Sequence, residues 1–197
     1  MSENFRKTFE EIYKKHIKRE GATEFYAYLQ TTDFFNAPGS TKFHSNFTGG
    51  LVEHSVRVYN RFCKMLESEY GEKWLEKPEN HESVAIIALL HDVCKVNCYK
   101  TEMRNVKVSG EWVQKPYFAY EDPLPYGHGE KSVYIISAYM KLSREESMAI
   151  NWHMGAFDAR NGNGNFIVSS AFTLFHLATI FHAADFLTAY LDEKVVK

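Results

Sequence analysis

Apolar residues recur at three- and four-residue steps through Phe5, Phe9, Ile12, Tyr13 and Ile17, so one face of a first helix is predicted over about 3–20, with Gly21 as its stop. A short helix over about Thr23 to Gln30 follows. Asn36-Ala37-Pro38-Gly39-Ser40 reads as a turn, and the chain from there to Gly50 as irregular. A long helix is predicted from about Leu51 to Tyr70, carrying His54 on its first turns and ended by Gly71; another runs from about Ser83 into His91-Asp92. Between about 98 and 120 the helical period is lost. Val106-Lys107-Val108, Ser109-Gly110 and Glu111-Trp112-Val113 predict a two-stranded hairpin closed by a Ser-Gly turn. Helices resume near His128, and Ser143-Arg144-Glu145-Glu146 has the capping-box pattern of a further helix start. From about Ser170 to Leu191 the chain is apolar on nearly every face, which predicts a buried central helix. The fold class is therefore all-α, a helical bundle with a small inserted β-hairpin.

The 197 residues are 45% hydrophobic and 24% charged, enough for one domain over 1–197 with a core over about 37–191. No repeat, low-complexity tract or Pro-rich linker marks a second boundary. A formal net charge of -2 argues against a broad basic face for duplex nucleic acid, so attraction for phosphate has to be local. Three cysteines, Cys63, Cys94 and Cys98, do not make a disulfide framework, and a reducing cytoplasm is the expectation. Met1 to Glu20 is charged and amphipathic rather than apolar, so neither export nor membrane attachment is expected.

The chemistry concentrates in isolated polar residues framed by apolar or glycine-rich runs: His54, the dipeptide His91-Asp92, His128, His153 and Asp185. Imidazoles and carboxylates hold divalent first-row ions, and such ions catalyse hydrolysis where one coordination position is left to water.

The order His54, His91-Asp92, Asp185 resembles the HD superfamily of metal-dependent phosphohydrolases, an all-helical fold. Ala37-Pro38-Gly39-Ser40, Lys42-Phe43-His44, Gly49-Gly50-Leu51-Val52-Glu53-His54-Ser55, His91-Asp92-Val93-Cys94-Lys95 and Gly127-His128 are more closely similar to the HD part of bacterial 3′-to-5′ exoribonucleases. The likeness spans roughly Ala37 to Asp185. Cys94 stands where many relatives have glycine, and no separate nucleic-acid-binding region precedes the likeness.

The resemblance implies that His54, His91, Asp92 and Asp185 hold one ion, that His128 and His153 fit the two-metal branch, and that Asp92 bridges. This donor set suits manganese, iron, cobalt, nickel or zinc, with magnesium also admitted, as one or two ions. A hydroxide shared between two ions is the expected nucleophile. Lys95, one turn past His91 if the helix continues, is expected to place its ammonium beside the substrate phosphate. Asp92→Ala is expected to abolish turnover and to leave the fold largely intact.

Duller roles are expected elsewhere. His16 and His81 read as solvent-exposed, His176 as a satisfied core histidine, and Cys94 and Cys98 as ordinary thiols. His44 could brace a loop or rim the cleft, and His182 could support a ligand. Glu53, Glu130 and Asp158 read as serving helix dipoles. Tyr99, Trp112, Tyr117, Phe118 and Tyr120 on the ribbon could stack a base or pack on the helical body. The loop Asn161-Gly162-Asn163-Gly164-Asn165 could close over a cleft or merely connect.

Three functions follow as expectations. The first is hydrolysis of a phosphate ester of a nucleotide or related small molecule. The second is 3′-to-5′ cleavage of single-stranded RNA or DNA, and the third is non-catalytic metal sensing. Sensor domains generally lose ligands, whereas all six are present here.

Overall fold

In the computed structural model, which describes residues 2–43, 45–158 and 166–193, the chain opens with α1 (Ser2–His16) and α2 (Ala22–Thr31). Gly21 does not stop the first helix; it precedes α2 in a left-handed conformation, φ 83°. The Tyr13 hydroxyl donates to Ala22 O at 2.7 Å, and Phe9 packs against Phe34 and Phe35, tying both helices to the segment that follows.

The long helix α3 (Gly50–Tyr70) ends at Gly71 as expected; a short α4 (Glu72–Leu75) and then α5 (Pro78–Leu90) follow. Val84 to Leu90 are all fully buried, so the second half of α5 is enclosed on every side and forms the centre of the bundle. Burying each of its Val, Ile and Leu side chains stabilises the fold by about 1.5–3 kcal/mol. α3 packs along α5 and also along α1.

A 3-10 turn at Val93–Lys95 replaces the expected helical continuation, and the chain then enters β1 (Tyr99–Val108) and β2 (Glu111–Tyr120). The two strands pair antiparallel from Tyr99 opposite Tyr120 to Val108 opposite Glu111. Ser109 and Gly110 both take positive φ, 53° and 96°, the geometry that matches a hairpin turn to strand twist. The ribbon is largely exposed, with half-buried residues at its root and at Val106. Trp112 is 70% exposed at the far end and lies on the opposite face from Tyr117, whose hydroxyl donates to Glu102. Tyr99, Phe118 and Tyr120 share the face of Trp112 and meet edge to face at the root of the ribbon, so of the five aromatics Tyr117 alone is set on the other side.

α6 (His128–Ser137) and α7 (Arg144–Asn151) follow, the latter opened by a complete capping box between Ser143 and Glu146. The expected central helix over 170–191 is instead α8 (Ile167–Leu174) and α9 (His176–Leu187), bent by 111° at Phe175, with a π-helical turn at Thr188–Asp192. The break has a tertiary cause. Glu145 on α7 accepts the Leu177 N–H at 3.0 Å, capping α9 where periodicity shows no start. Leu174, Tyr190 and Leu191 are exposed, so this region is not the buried centre. Among the described residues no single helix is long and apolar enough to cross a membrane.

Candidate metal centre

His54 stands on the first turns of α3, His91 closes α5, and Asp92 leads into the Val93–Lys95 turn. His128 opens α6, His153 lies in the turn after α7, and Asp185 lies on α9. The structure brings all six together. A Cβ on Gly129 would sit 2.2 Å from Asn151 O, so glycine there lets the start of α6 close on the end of α7 and sets His128 beside His153. All but His128 are buried.

Asp92 is the hub. Its Oδ2 lies 3.6 Å from His54 Nε2 and 3.5 Å from His91 Nε2, while its Oδ1 lies 2.9 Å from His128 Nε2 and 3.6 Å from His153 Nε2. Each carboxylate oxygen thus faces a different pair of imidazoles. Asp185 Oδ1 joins the first pair, 3.1 Å from His54 Nε2 and 3.9 Å from His91 Nε2.

Ring protons point outward. Nδ1 donates to Ala88 O at 3.0 Å from His91, to Ile150 O at 2.6 Å from His153, and to Glu193 Oε1 at 2.7 Å from His54. Carbonyls and carboxylates only accept, so each of these rings, when neutral, turns an Nε2 lone pair toward the centre. His54 Nε2 and His91 Nε2 approach to 3.1 Å, where two lone pairs repel unless a cation or proton lies between them. His153 Nε2 is buried with no hydrogen-bond partner among the described residues. A divalent ion fits these donors: it would satisfy the orphaned nitrogen, relieve the facing pair and offset the carboxylates.

Burial alone would depress His54, but Glu193 and Asp185 more than offset it and lift the imidazole to about 10, so an ion binding at Nε2 has to displace the proton held there. Burial prevails at His91, pushing it down to about 3. At Asp92 burial works upward, yet Lys95 and His91 hold the carboxyl well below its ordinary range; at Asp185 burial is likewise overcome, by His54. Both carboxylates are therefore anionic at neutral pH, the form a metal requires.

One supporting group, Glu193, escapes sequence reasoning, while a second, His182, takes the supporting place expected of it. Glu193, fully buried at its side chain, holds His54 Nδ1 and also accepts the Ser45 hydroxyl at 2.8 Å. It lies past the last expected helix, where no period or spacing marks it. His182 donates from Nδ1 to the His153 carbonyl at 2.6 Å, so it steadies the backbone of a candidate ligand. Lys95 reaches Asp92 Oδ2 at 2.6 Å and Gly39 O at 2.7 Å, engaged with the hub itself.

Other residues fall away from the cluster or beside it. His16 and His81 are half-buried rather than exposed, their rings stacked at 3.6 Å, because α1 and α5 bring distant positions face to face. His176 is exposed at the start of α9, a correction that follows from the break at Phe175. Cys94 is buried 3.4 Å from His128 Nδ1, and its thiol is pushed up to about 12 by burial and by Asp92, so it stays protonated. Cys98 is also buried and receives a hydrogen bond from Lys131. Glu53 and Glu130 occupy first turns of helices, whereas buried Asp158 follows a 3-10 turn. His44 and the Asn161–Asn165 loop lie outside the described residues.

The profile of the HD domain family matches residues 51–189, a span that takes in all six clustered residues. Among curated proteins and among solved structures, no match to the chain is found.

Proposed function

The chain belongs to the HD domain family, and from that membership and the buried cluster we propose a metal-dependent phosphohydrolase that cleaves a phosphate ester of a nucleotide or related small molecule. One observation carries the reading: the two oxygens of Asp92 serve two separate imidazole pairs, as a carboxylate shared by two cation sites would. His54, His91 and Asp185 would complete one site, and His128 and His153 the other. Manganese, iron, cobalt, nickel and zinc suit the donors. Bound ions would supply Lewis acidity toward phosphate oxygens and an acidified water at neutral pH.

The protein's own groups do the rest. Outward hydrogen bonds fix the His54, His91 and His153 rings with Nε2 inward, so their orientation is set before an ion arrives and the His54 proton is what has to leave. Lys95 holds the Asp92 oxygen that faces His54 and His91 and keeps that carboxyl anionic. In the reaction a water oxygen bonds to phosphorus as the ester P–O bond breaks, and the leaving oxygen takes a proton to give an alcohol and phosphate.

The test is a panel of nucleotides, cyclic nucleotides and short labelled oligomers, with metal content measured on protein purified without chelator. Expected is turnover of mononucleotides with manganese, lost with chelator and regained on adding the ion back. Trimming of oligomers with steep salt dependence would move the reading to a single-strand nuclease. Metal binding without turnover of any ester would overturn it in favour of a sensor.

A further inference from the structure

We infer that the cleft opening on the metal centre seats the base of a nucleoside monophosphate, and that the chain favours one phosphate over three; this rests on the phosphohydrolase reading. The cleft has a volume of about 580 Å³, within the range of small-molecule sites. Its two ends differ in chemistry. His153, Asp185 and Glu193 form the metal end, while Phe43, Phe157, Phe186 and Tyr190 line the remainder.

The rings are not core residues. Phe43 is 71% exposed, Phe157 63%, Phe186 39% and Tyr190 69%, an unusual gathering of wetted aromatic surface. Three of them form one continuous wall. Phe157 and Phe186 stack with centroids 6.2 Å apart and planes within 14°, and Phe186 meets Tyr190 at 4.7 Å. Rings already this close leave no slot for a base between them, so a base lies on the wall as a further stacked layer.

Charge sets the phosphate count. Among the described residues the cleft lining contains two carboxylates, Asp185 and Glu193, two histidines, His153 and His182, and neither lysine nor arginine. One phosphate at the metal end would be compensated by the ions; second and third phosphates along the cleft would meet carboxylates and aromatic faces with no lysine or arginine among the described lining residues. An anion in such surroundings is penalised.

The experiment uses the manganese-loaded full chain and compares kcat/KM for adenosine 5′-monophosphate, ribose 5-phosphate and adenosine triphosphate. Calorimetry of adenosine binding to metal-free protein accompanies it. The monophosphate is expected to exceed each of the others by about tenfold or more. Phe186→Ala and Tyr190→Ala should each raise KM for the monophosphate by about tenfold and weaken adenosine binding similarly, with manganese affinity unchanged. Equal kcat/KM for ribose 5-phosphate and the monophosphate, or for the triphosphate and the monophosphate, overturns the inference while leaving the hydrolase intact. Adenosine bound by the wild type and lost in Phe186→Ala, with no ester hydrolysed, supports the base site and removes the hydrolase.

Discussion

Asp92→Ala strands Lys95. The ammonium makes two contacts, Asp92 Oδ2 at 2.6 Å and Gly39 O at 2.7 Å, from a side chain only 13% exposed against 3% for Asp92. Solvent screening at that depth is slight, and removing one partner of such a pair leaves an uncompensated charge that costs roughly 3–5 kcal/mol. The sequence alone suggests that alanine here spares the fold; the Lys95 contact argues that it does not. Asp92→Ala is therefore expected to lower stability by about 3 kcal/mol in metal-free protein, and Asp92→Ala with Lys95→Met to recover about 2 kcal/mol of it. Urea unfolding in chelator at neutral pH measures both, as midpoint shifts at constant slope. The sign with pH is fixed: the Asp92 carboxyl is held below its unfolded value, so its stabilisation is present above about pH 4 and lost as pH falls through its folded value. The gap between wild type and Asp92→Ala should narrow in acid. An Asp92→Ala variant within 0.5 kcal/mol of wild type, or a double variant no more stable than the single one, refutes the argument; the ~0.5 kcal/mol bound is that of an ordinary surface change.

Glu193→Gln keeps the shape of the group that orients His54 but removes its charge, and manganese affinity measured by calorimetry should fall by about 10–100-fold. Unchanged affinity would mean that the 2.7 Å contact has no bearing on the centre. Glu146 is buried, which would raise its carboxyl, but Arg19, Ser83 and the Ser143 N–H outweigh burial and lower it. Its stabilisation is thus present above the unfolded value near ~4.3 and disappears as pH falls through the folded one. Glu146→Gln should cost about 3 kcal/mol at neutral pH by thermal or urea unfolding, a deficit that shrinks toward pH 3; a constant deficit would rule out this linkage.

Local chemistry was legible wherever a rule acts within a few residues. The hairpin follows from Ser109-Gly110, whose two positive φ values the turn demands, and α7 from the Ser143–Glu146 box. The bend at Phe175 was not legible, because its cap comes from Glu145, a residue on another helix. The same holds for the stacked pair His16 and His81, which read as two wet histidines until α1 and α5 are placed side by side.

The candidate centre divides along a similar line, for a chemical reason. Groups that could hold an ion come from the short menu of histidine, cysteine and carboxylates, so His54, His91, Asp92, His128, His153 and Asp185 stand out even when far apart in the chain. Groups that orient them come from no menu: a backbone carbonyl serves His91 and His153, a carboxylate serves His54, and a lysine serves Asp92. Any acceptor or donor at the right place will do, so residue type carries little signal and position carries nearly all of it. Lys95 shows the consequence. Its spacing from His91 suggested a helical turn and a charge aimed at substrate, but the chain leaves the helix at Leu90 and turns through Val93–Lys95, which folds the ammonium back onto the oxygen facing His54 and His91. That contact makes Asp92 at once the junction of the centre and part of what holds its surroundings folded, so its loss should be felt in stability as well as in turnover.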